Sequence, residues 1–311
     1  KDRIVQGAVK RVLEPIFEWE FLDVSYGFRP GRGAKDALRA VDQLIKAGYT
    51  WVVDADLKSY FDTIPHATLL EEVAAHLSDG RVLALIQAYL EQGILEGLQR
   101  WTPTQGTPQG AVLSPLLANR YLHGLDARMS AQGYAIVRYA DDFVILCATE
   151  DEAHAALVQV QDWTAHRGLT LHPDKTHLGD CRQAGQGFDF LGYRFEGGRR
   201  LVRRKSFKAI RAKIRAKTGR SRGSSLERIV AELNPMLKGW FNYFKHAQGA
   251  VFIILDGFVR RRLRAILRRQ HHLKGRLGHS LEDHRRWPNA FFAERGLFTM
   301  TEARALARQS R

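Results

Sequence analysis

The segment "IVRYADDFVIL", residues 136–146, constrains the fold most strongly, because it places two adjacent aspartates between apolar stretches. Such stretches predict two short buried strands around a tight turn. Burying two like charges side by side is costly unless the two groups share a proton or bind a cation. Asp141 and Asp142 are therefore predicted to form a cation site, and a solvated acidic turn is the alternative.

A second pair of carboxylates supports this prediction. Asp54 and Asp56 lie two residues apart in "YTWVVDADL", a predicted strand over residues 49–57, so both point to one face of a sheet. Hard oxygen ligands without a nearby His or Cys favour Mg²⁺. Asp56 is expected to act as a ligand and Asp54 as a supporting residue.

Three further features indicate phosphoryl transfer to a nucleotide. Gln109 lies in a Gly-rich loop ahead of a helix N-terminus, which suits a base, a sugar or a phosphate. Lys175 follows a short strand and is a candidate proton donor to pyrophosphate, and Phe61 could press its ring against a sugar. Each has an ordinary alternative, namely a loop amide, a surface lysine and a core aromatic residue.

The periodicity of the apolar residues predicts an α+β fold for the first two thirds of the chain and an all-α fold for the last third. Ser114 is predicted to cap the helix that follows the Gly-rich loop, and Ser224 with Glu227 to form a capping box. Gly197 and Gly198 are predicted to form the turn of a β-hairpin.

Charge separates the same two parts of the chain. Residues 1–198 contain 19 Lys+Arg and 26 Asp+Glu, whereas residues 199–311 contain 29 and 7. This distribution favours nucleic acid as the partner, with an anionic membrane surface as the competitor. No stretch is long enough to span a membrane, and two unpaired cysteines are typical of a reducing compartment. We expect a protein of the cytoplasm.

In chain order, these segments resemble a reverse transcriptase, and more narrowly one encoded by a bacterial group II intron. "DADLKSYFDTI", "GTPQGAVLSPLLAN" and "YADD" are similar to the first catalytic strand, the nucleotide-contacting loop with its helix, and the catalytic turn of that family. "GLTLHPDKT", "FLGYRF" and "LNPMLKGWFNYFKHA" resemble its lysine-bearing segment, primer-grip hairpin and maturase or thumb domain. "RWPNAFFAERGLF" resembles the tail of members that lack a C-terminal endonuclease domain.

The resemblance implies a right-hand polymerase, whose fingers and palm contain an antiparallel sheet, followed by an all-α thumb or maturase domain. The expected domains are a partial fingers and palm domain at residues 1–205, a helical thumb or maturase domain at 206–275 and a basic C-terminal extension at 276–311. The segments that begin the fingers in this family are not found, so the N-terminal fingers are expected to be missing from this sequence.

The resemblance also implies an RNA-directed DNA polymerase that acts by two-metal nucleotidyl transfer on an RNA template, a DNA primer and dNTPs. Two Mg²⁺ ions, with Mn²⁺ as a substitute, would be held by Asp56, Asp141, Asp142 and the backbone carbonyl of Leu57. The nucleotide site would contain Phe61, as a gate against ribose, with Gln109, Gly110, Lys175 and Arg3. The primer grip would contain Phe190, Leu191 and Gly192.

The basic third is expected to bind the duplex and the intron RNA, which adds a role in splicing and retrohoming at a DNA target. The predicted RNA-binding residues are Arg29, Arg32, Arg203, Arg204, Lys205, Lys208, Arg211, Arg215, Arg260, Arg261 and Arg264. Two alternatives stay open: a maturase that only assists splicing, which the intact aspartate trio disfavours, and a domesticated reverse transcriptase in host defence or repair. The sequence does not predict the oligomeric state.

Overall fold

The computed structural model describes residues 2–92, 94–96, 99–108, 110–173, 175–219, 223–273, 278 and 280–309. The chain divides into two compact units, Lys1–Leu191 and Gly192–Arg311. The division comes earlier than the predicted domain boundary between residues 205 and 206, and that boundary stays a prediction.

The first unit combines helices and strands, as predicted for this part of the chain. In chain order its elements are α1 (Asp2–Glu20), α2 (Ala34–Lys46), β1 (Trp51–Asp56), α3 (Tyr60–Thr63), α4 (His66–Ala74), α5 (Gly80–Leu90), β2 (Ile94–Glu96), β3 (Gln99–Trp101), α6 (Ser114–Ala131), β4 (Ala135–Tyr139), β5 (Asp142–Cys147), α7 (Glu150–His166), β6 (His177–Asp180) and β7 (Phe188–Phe190).

Four of these strands form an antiparallel sheet in the order β4-β5-β1-β6. The predicted pair of strands around the aspartates is confirmed as β4 and β5. The register pairs Trp51 with Cys147 and Asp56 with Asp142, so the last residue of β1 is level with the first residue of β5. This register brings two of the predicted catalytic aspartates to one edge of the sheet.

Apolar burial holds this sheet in place. Helices α2, α6 and α7 pack against it, and buried side chains such as Val53, Phe143, Leu122 and Val160 form one continuous core. A packed interior of this kind has few voids and resists movement, so the strands are a rigid support for polar groups at their ends.

The second unit begins with a hairpin and continues as helices. Its elements are β8 (Tyr193–Glu196), β9 (Arg199–Val202), α8 (Arg204–Lys217), α9 (Leu226–Phe244), α10 (Ala250–Gln270), α11 (Leu281–Arg286), α12 (Asn289–Glu294) and α13 (Met300–Gln309). The hairpin turn at Gly197 and Gly198 is confirmed, and both residues have the positive φ (57° and 68°) that favours glycine. Across the described ranges, no helix is long and apolar enough to cross a membrane.

The aromatic residues of α9 lie in the core of the second unit. Phe241 packs against Phe252 of α10 with ring centroids 5.4 Å apart, and Trp240 packs against Phe244 at 4.7 Å. Ile210 and Ile214 of α8 join the same core. The core interpretation of these aromatic residues is therefore confirmed.

Two predicted helix caps are wrong by one residue. Leu113, not Ser114, precedes the first turn of α6, because the Ser114 hydroxyl instead donates to the carbonyl of Pro108 at 2.8 Å. Ser225, not Ser224, caps α9 and accepts a hydrogen bond from the amide of Arg228 at 3.3 Å. In both places neighbouring residues compete for the cap, and local hydrogen bonds decide between them.

Candidate active site

The turn between β4 and β5 carries the two adjacent aspartates. Ala140 begins the turn in the left-handed region (φ 59°), and Asp141 follows it before β5 starts at Asp142. A non-glycine residue in this conformation is strained by roughly 1–2 kcal/mol, so the surrounding structure must hold the turn. Asp142 lies directly opposite Asp56 on β1.

Asp56 is fixed through both its backbone and its side chain. Its carbonyl accepts a hydrogen bond from the amide of His172 at 2.7 Å. Its carboxylate binds the ammonium group of Lys175, with 2.5 Å between Nζ and Oδ2. The structure therefore brings together Lys175 and Asp56, which are 119 positions apart in the sequence.

The carboxylates at this edge of the sheet repel one another. Burial, together with the charges of Asp142, Asp189 and Asp56, raises the pKa of Asp54 to about 7. Burial also raises the pKa of Asp141, the charge of Asp56 adds to this, and Arg138 opposes it. A cation bound here would relieve this repulsion.

The donor set fits a hard divalent cation, because it consists of carboxylate oxygens from neighbouring strands. Within the described residues, however, no three His, Cys, Asp or Glu side chains are gathered closely enough to hold a metal ion. The ammonium group of Lys175 sits at Asp56 and supplies positive charge to the cluster. Leu57 follows β1 and pairs with Leu171, and its carbonyl as a metal ligand stays a prediction.

A buried arginine holds the catalytic turn from behind. Arg138, on β4, is fully buried and binds both carboxylate oxygens of Asp126 on α6, at 2.8 and 2.5 Å. Its remaining terminal nitrogen donates to the carbonyl of Ala140 and to Oδ1 of Asn119, both at 2.9 Å. Burial alone would lower the pKa of Arg138, but the charge and hydrogen bonds of Asp126 raise it. Arg138 is therefore charged and connects α6 to the strained residue of the turn.

The same network extends to the segment that follows α1. Asn119 donates from Nδ2 to the carbonyl of Gly27 at 2.7 Å. Gly27 packs against the turn so closely that an added Cβ would overlap the backbone nitrogen of Ala140. These positioning residues are not among those predicted from the sequence, although an arginine inside a buried strand beside two aspartates is a usable signal.

Two of the predicted nucleotide-binding residues, Phe61 and Gly110, lie in two connected segments of the first unit. The carbonyl of Phe61 on α3 accepts a hydrogen bond from the amide of Thr107 at 2.6 Å, and its half-buried ring packs edge-on against Tyr60 at 5.5 Å. Gly110 has a positive φ of 77° in the turn before α6. The amide of Val112 in that turn donates to the buried Gln6 of α1 at 2.9 Å.

Two other predicted nucleotide contacts receive less support. Gln109 lies outside the described residues. Arg3 is exposed on the first turn of α1. Their roles stay predictions.

The predicted primer-grip residues fall at the division between the units. Phe190 is fully buried at the end of β7, and Leu191 has a positive φ of 47°. Gly192 starts the second unit with a φ of 83°, and an added Cβ would lie 3.4 Å from the ring of Phe244. This backbone conformation is strained for Leu191 and natural for Gly192.

The first unit matches a known protein family over its whole length. Residues 1–195 match the family model described as reverse transcriptase (RNA-dependent DNA polymerase). The chain belongs to the reverse transcriptase family. Residues 207–287 match a second model, the group II intron maturase-specific domain, so this reverse transcriptase carries a maturase-type domain in its helical unit.

Curated relatives agree with these matches. The reverse transcriptase is 33% identical over 246 residues to the protein YkfC of Escherichia coli, which covers 66% of this chain and 62% of YkfC. It is 44% identical over 125 residues to the group II intron-encoded protein LtrA of Lactococcus lactis, which covers 40% of this chain and 21% of LtrA. The chain thus spans less than two thirds of either relative.

Solved structures support the fold. A telomerase from Candida albicans, determined with a fragment of telomeric RNA, superposes with a TM-score of 0.53 at 11% identity, covering 83% of this chain and 51% of that chain. The likeness confirms the predicted fold class, a mixed α+β polymerase fold followed by a helical domain.

Two arginines of the first unit that were predicted to bind RNA form contacts within the reverse transcriptase. Arg29 is 7% exposed and binds Glu18 at 2.9 Å and the carbonyls of Phe21, Leu22 and Ser25. A guanidinium group with its donors engaged in this way stabilises the fold, which does not favour the predicted RNA contact. Arg32 forms an ion pair with Asp23.

The predicted RNA-binding residues of the second unit lie mainly on α8 and α10. Arg204, Lys205, Lys208 and Arg215 are exposed, and Arg203, Arg211, Arg260 and Arg261 are half-buried. Arg264 is an exception. It is 2% exposed and donates to the carbonyl of Trp287 and to Oδ1 of Asn289, both at 2.9 Å, so its primary contacts are structural.

The raised pKa of Asp54 predicts a pH-dependent stability. Between the unfolded pKa of 3.8 and the folded value of about 7, the folded state retains a proton that the unfolded state releases. The Asp54 contribution to stability is therefore lost as the pH rises through this window. With EDTA present to remove metal ions, we expect Asp54→Asn to increase the free energy of unfolding by on the order of 1–3 kcal/mol above pH 7. Near pH 4 the substitution should have little effect.

Urea unfolding at a series of pH values measures this effect. Asp162→Asn, which removes an exposed carboxylate from α7, is the matched control and should leave the pH profile unchanged. A loss of stability in Asp54→Asn that grows as the pH rises above 7 would contradict the raised pKa, because it would mean that the folded state favours the ionised carboxylate.

Proposed function

We propose that this chain is an RNA-directed DNA polymerase that extends a DNA primer on an RNA template. The observation that supports the proposal is the pairing of Asp56 with Asp142, with Asp141 in the adjoining turn, inside a region that matches the reverse transcriptase family. The telomerase likeness concerns the fold alone. Substrates and activity are inferred from this chain's own residues and its family.

Asp56, Asp141 and Asp142 are proposed to bind two Mg²⁺ ions. The chemistry that such ions supply when bound is activation of the primer 3′-hydroxyl and neutralisation of the charge on the triphosphate and the leaving pyrophosphate. Lys175 is proposed to leave Asp56 in the loaded site and to hold a proton near the leaving group. The register of β1 and β5 sets Asp56 opposite Asp142, next to the turn that carries Asp141.

Primer extension tests the proposal directly. The purified chain is supplied with an RNA template, a DNA primer, dNTPs and Mg²⁺, and EDTA is added to a parallel reaction. We expect extended DNA that disappears with EDTA and returns when Mg²⁺ or Mn²⁺ is restored. A folded chain that never extends the primer on RNA would refute the proposal.

Phe61 is proposed to exclude ribonucleotides. Its backbone is held by Thr107, and its ring is braced by Tyr60, whose hydroxyl donates to the carbonyl of Ala118 at 2.6 Å. A ring fixed at this position can clash with a 2′-hydroxyl, so Phe61→Ala should raise the ratio of rNTP to dNTP incorporation by about tenfold or more. Single-nucleotide extension with each substrate measures the ratio.

An unchanged ratio of rNTP to dNTP incorporation would contradict this role, because a gate acts on the discrimination between the two sugars. Phe143→Leu, a substitution in the buried core of the same sheet, is the control for general loss of packing. It should lower the rates with both nucleotides together and leave the ratio unchanged.

A second proposed function is binding of intron RNA by the helical unit. It is favoured by the match of residues 207–287 to the maturase-specific domain and by the twelve Lys and Arg, without an acidic residue, in residues 199–222. Contacts to an A-form helix would be mainly to phosphate and 2′-hydroxyl groups. Splicing and retrohoming at a DNA target follow as proposed roles of the whole protein.

This binding should depend steeply on salt, because each neutralised phosphate releases counterions. With six or more phosphate contacts, affinity for a structured RNA should fall by about 10³-fold between 50 and 200 mM salt. Fluorescence anisotropy at several salt concentrations measures the slope. Affinity that hardly changes over this range would contradict a mainly electrostatic interface.

A further inference from the structure

A cavity in the helical unit has four arginines among its ten lining residues. It has a volume of about 340 Å³ and lies against α8, α10 and α11. We call it the arginine pocket and define it by the residues Arg211, Phe258, Arg260, Arg261, Arg264 and His284. No carboxylate belongs to the described lining of this cavity.

The guanidinium groups of the arginine pocket are organised around one aromatic ring. The buried ring of Phe258 is approached by Arg211 at 4.7 Å, by Arg261 at 5.3 Å and by the adjacent Arg215 at 5.6 Å. A guanidinium group near an aromatic ring is attracted by the negative face of that ring. The Phe258 ring therefore gathers three guanidinium groups within 6 Å of its centroid.

The floor of the arginine pocket is also fixed. Arg264 is held by Trp287 and Asn289 and packs over the ring of Phe292 at 5.4 Å. Burial lowers the pKa of Arg264 and the charge of Arg260 lowers it further, whereas Asp283 opposes the change. The positive charges in this pocket are thus close enough to repel one another.

The nearby acid is already engaged. Asp283 is 1% exposed and binds Arg268 at 2.7 Å, and it accepts a hydrogen bond from the amide of Ser280. On α8, Nε of Arg211 is buried without a hydrogen-bond partner in the described structure. A buried donor of this kind costs about 1–3 kcal/mol unless a ligand or water satisfies it. Repulsion and an unsatisfied donor in one cavity both favour a bound anion.

We propose that the arginine pocket binds a backbone phosphate of RNA, which rests on the RNA-binding function proposed above. Arginine forks match the oxygens of a phosphate group and can donate two parallel hydrogen bonds to it. All six pocket residues lie within the region that matches the maturase-specific domain. The exposed Arg204, Lys205 and Lys208 on α8 would contact further phosphates of the same strand, which favours a polymer over a free anion.

Phosphate scanning tests this assignment. A short RNA duplex is prepared with one neutral methylphosphonate linkage at a different position in each sample, and its affinity for the unaltered chain is measured at fixed salt. We expect at least one position to weaken binding by about tenfold. In Arg211→Gln/Arg260→Gln, the penalty at that position should fall below about twofold, because the contact is already absent.

Lys213→Gln/Arg269→Gln is the matched control, because it removes two exposed positive charges from the same two helices. It should lower affinity for every duplex but keep the tenfold penalty at the sensitive position. An equal penalty in both double variants would overturn the proposal. Arg260→Gln alone gives a folded comparison if the first double variant melts early, and it too should reduce the penalty.

Two further measurements distinguish the pocket proposal from DNA binding and from the proposed polymerase activity. A DNA duplex of the same sequence should show no single sensitive position, and an equal position-specific penalty in DNA would overturn the assignment to RNA. Primer extension is measured on the same protein samples. If the primer is extended normally but the double variant keeps the full methylphosphonate penalty, only the pocket proposal is refuted. If the double variant loses that penalty but the primer is not extended, only the proposed polymerase activity is refuted.

Discussion

Asp141→Asn should reduce primer extension on an RNA template by at least about 10³-fold, which corresponds to about 4 kcal/mol of activation free energy. The substitution keeps the shape of the side chain and removes the charge that a metal ion requires. Asp141 lies in a turn that neighbouring groups hold in a strained conformation, so another carboxylate cannot move into its place. Single-turnover extension at saturating dNTP measures the loss.

The specificity of this result depends on two comparisons. Asp151→Asn removes an exposed carboxylate from α7 and should leave extension unchanged. Asp142→Asn should cause a smaller loss than Asp141→Asn, because we expect Asp141 to be the indispensable metal ligand of the adjacent pair and Asp142 to adjust the charge of the site. RNA binding should be retained in all three variants. Extension by Asp141→Asn at the native rate would remove Asp141 from the catalytic assignment.

The sequence predicted the framework of the site because local signals there agree with the tertiary structure. Apolar runs located β1 and the strands on either side of the β4–β5 turn, and two adjacent glycines located the turn of the β8–β9 hairpin. The register then brings Asp56 level with Asp142. Buried strands are specified by runs of apolar residues, and tight turns by the residues that tolerate them. Each of these signals is contained in a few consecutive residues and can therefore be recognised in the sequence.

The rest of the site depends on contacts between distant residues. Arg29 is a cationic residue of the kind that binds RNA, but it contacts Glu18. Lys175 contacts Asp56. The partners of both residues are set by the packing of separate segments. The sequence gives no distances of this kind. The predicted caps at Ser114 and Ser224 are wrong for a local reason instead: the Ser114 hydroxyl donates to Pro108, and Ser225 accepts from the amide of Arg228.

The question raised by the two adjacent aspartates has a partial answer in the protein itself. Burial of Asp141 is offset by the charge of Arg138, whereas Asp54 has no comparable cation among the influences on its pKa. Arg138 also binds the carbonyl of Ala140, so one side chain contributes both charge and geometry. This double role makes Arg138 the most informative residue behind the site.

Arg138→Met should destabilise the folded chain by about 3–5 kcal/mol, because it leaves the carboxylate of Asp126 buried without its partner. It should also reduce primer extension severely, since the carbonyl of Ala140 and the amide oxygen of Asn119 lose a common donor. Arg128→Met is the control. Arg128 lies on α6, is half-buried and binds Gln159, so its loss should cost less than about 1 kcal/mol.

The double variant Arg138→Met/Asp126→Leu separates stability from positioning. Replacing a buried ion pair with apolar residues of similar volume is often neutral, so most of the lost stability should return. Extension should stay about 10²-fold below the native rate, because neither new side chain can hold Ala140 in its left-handed conformation, and the turn that carries Asp141 is then no longer fixed beside Asp56. Urea unfolding and single-turnover extension are measured on the same samples. Full recovery of both would show that Arg138 acts only through stability, whereas recovery of stability without activity assigns it to holding the catalytic turn.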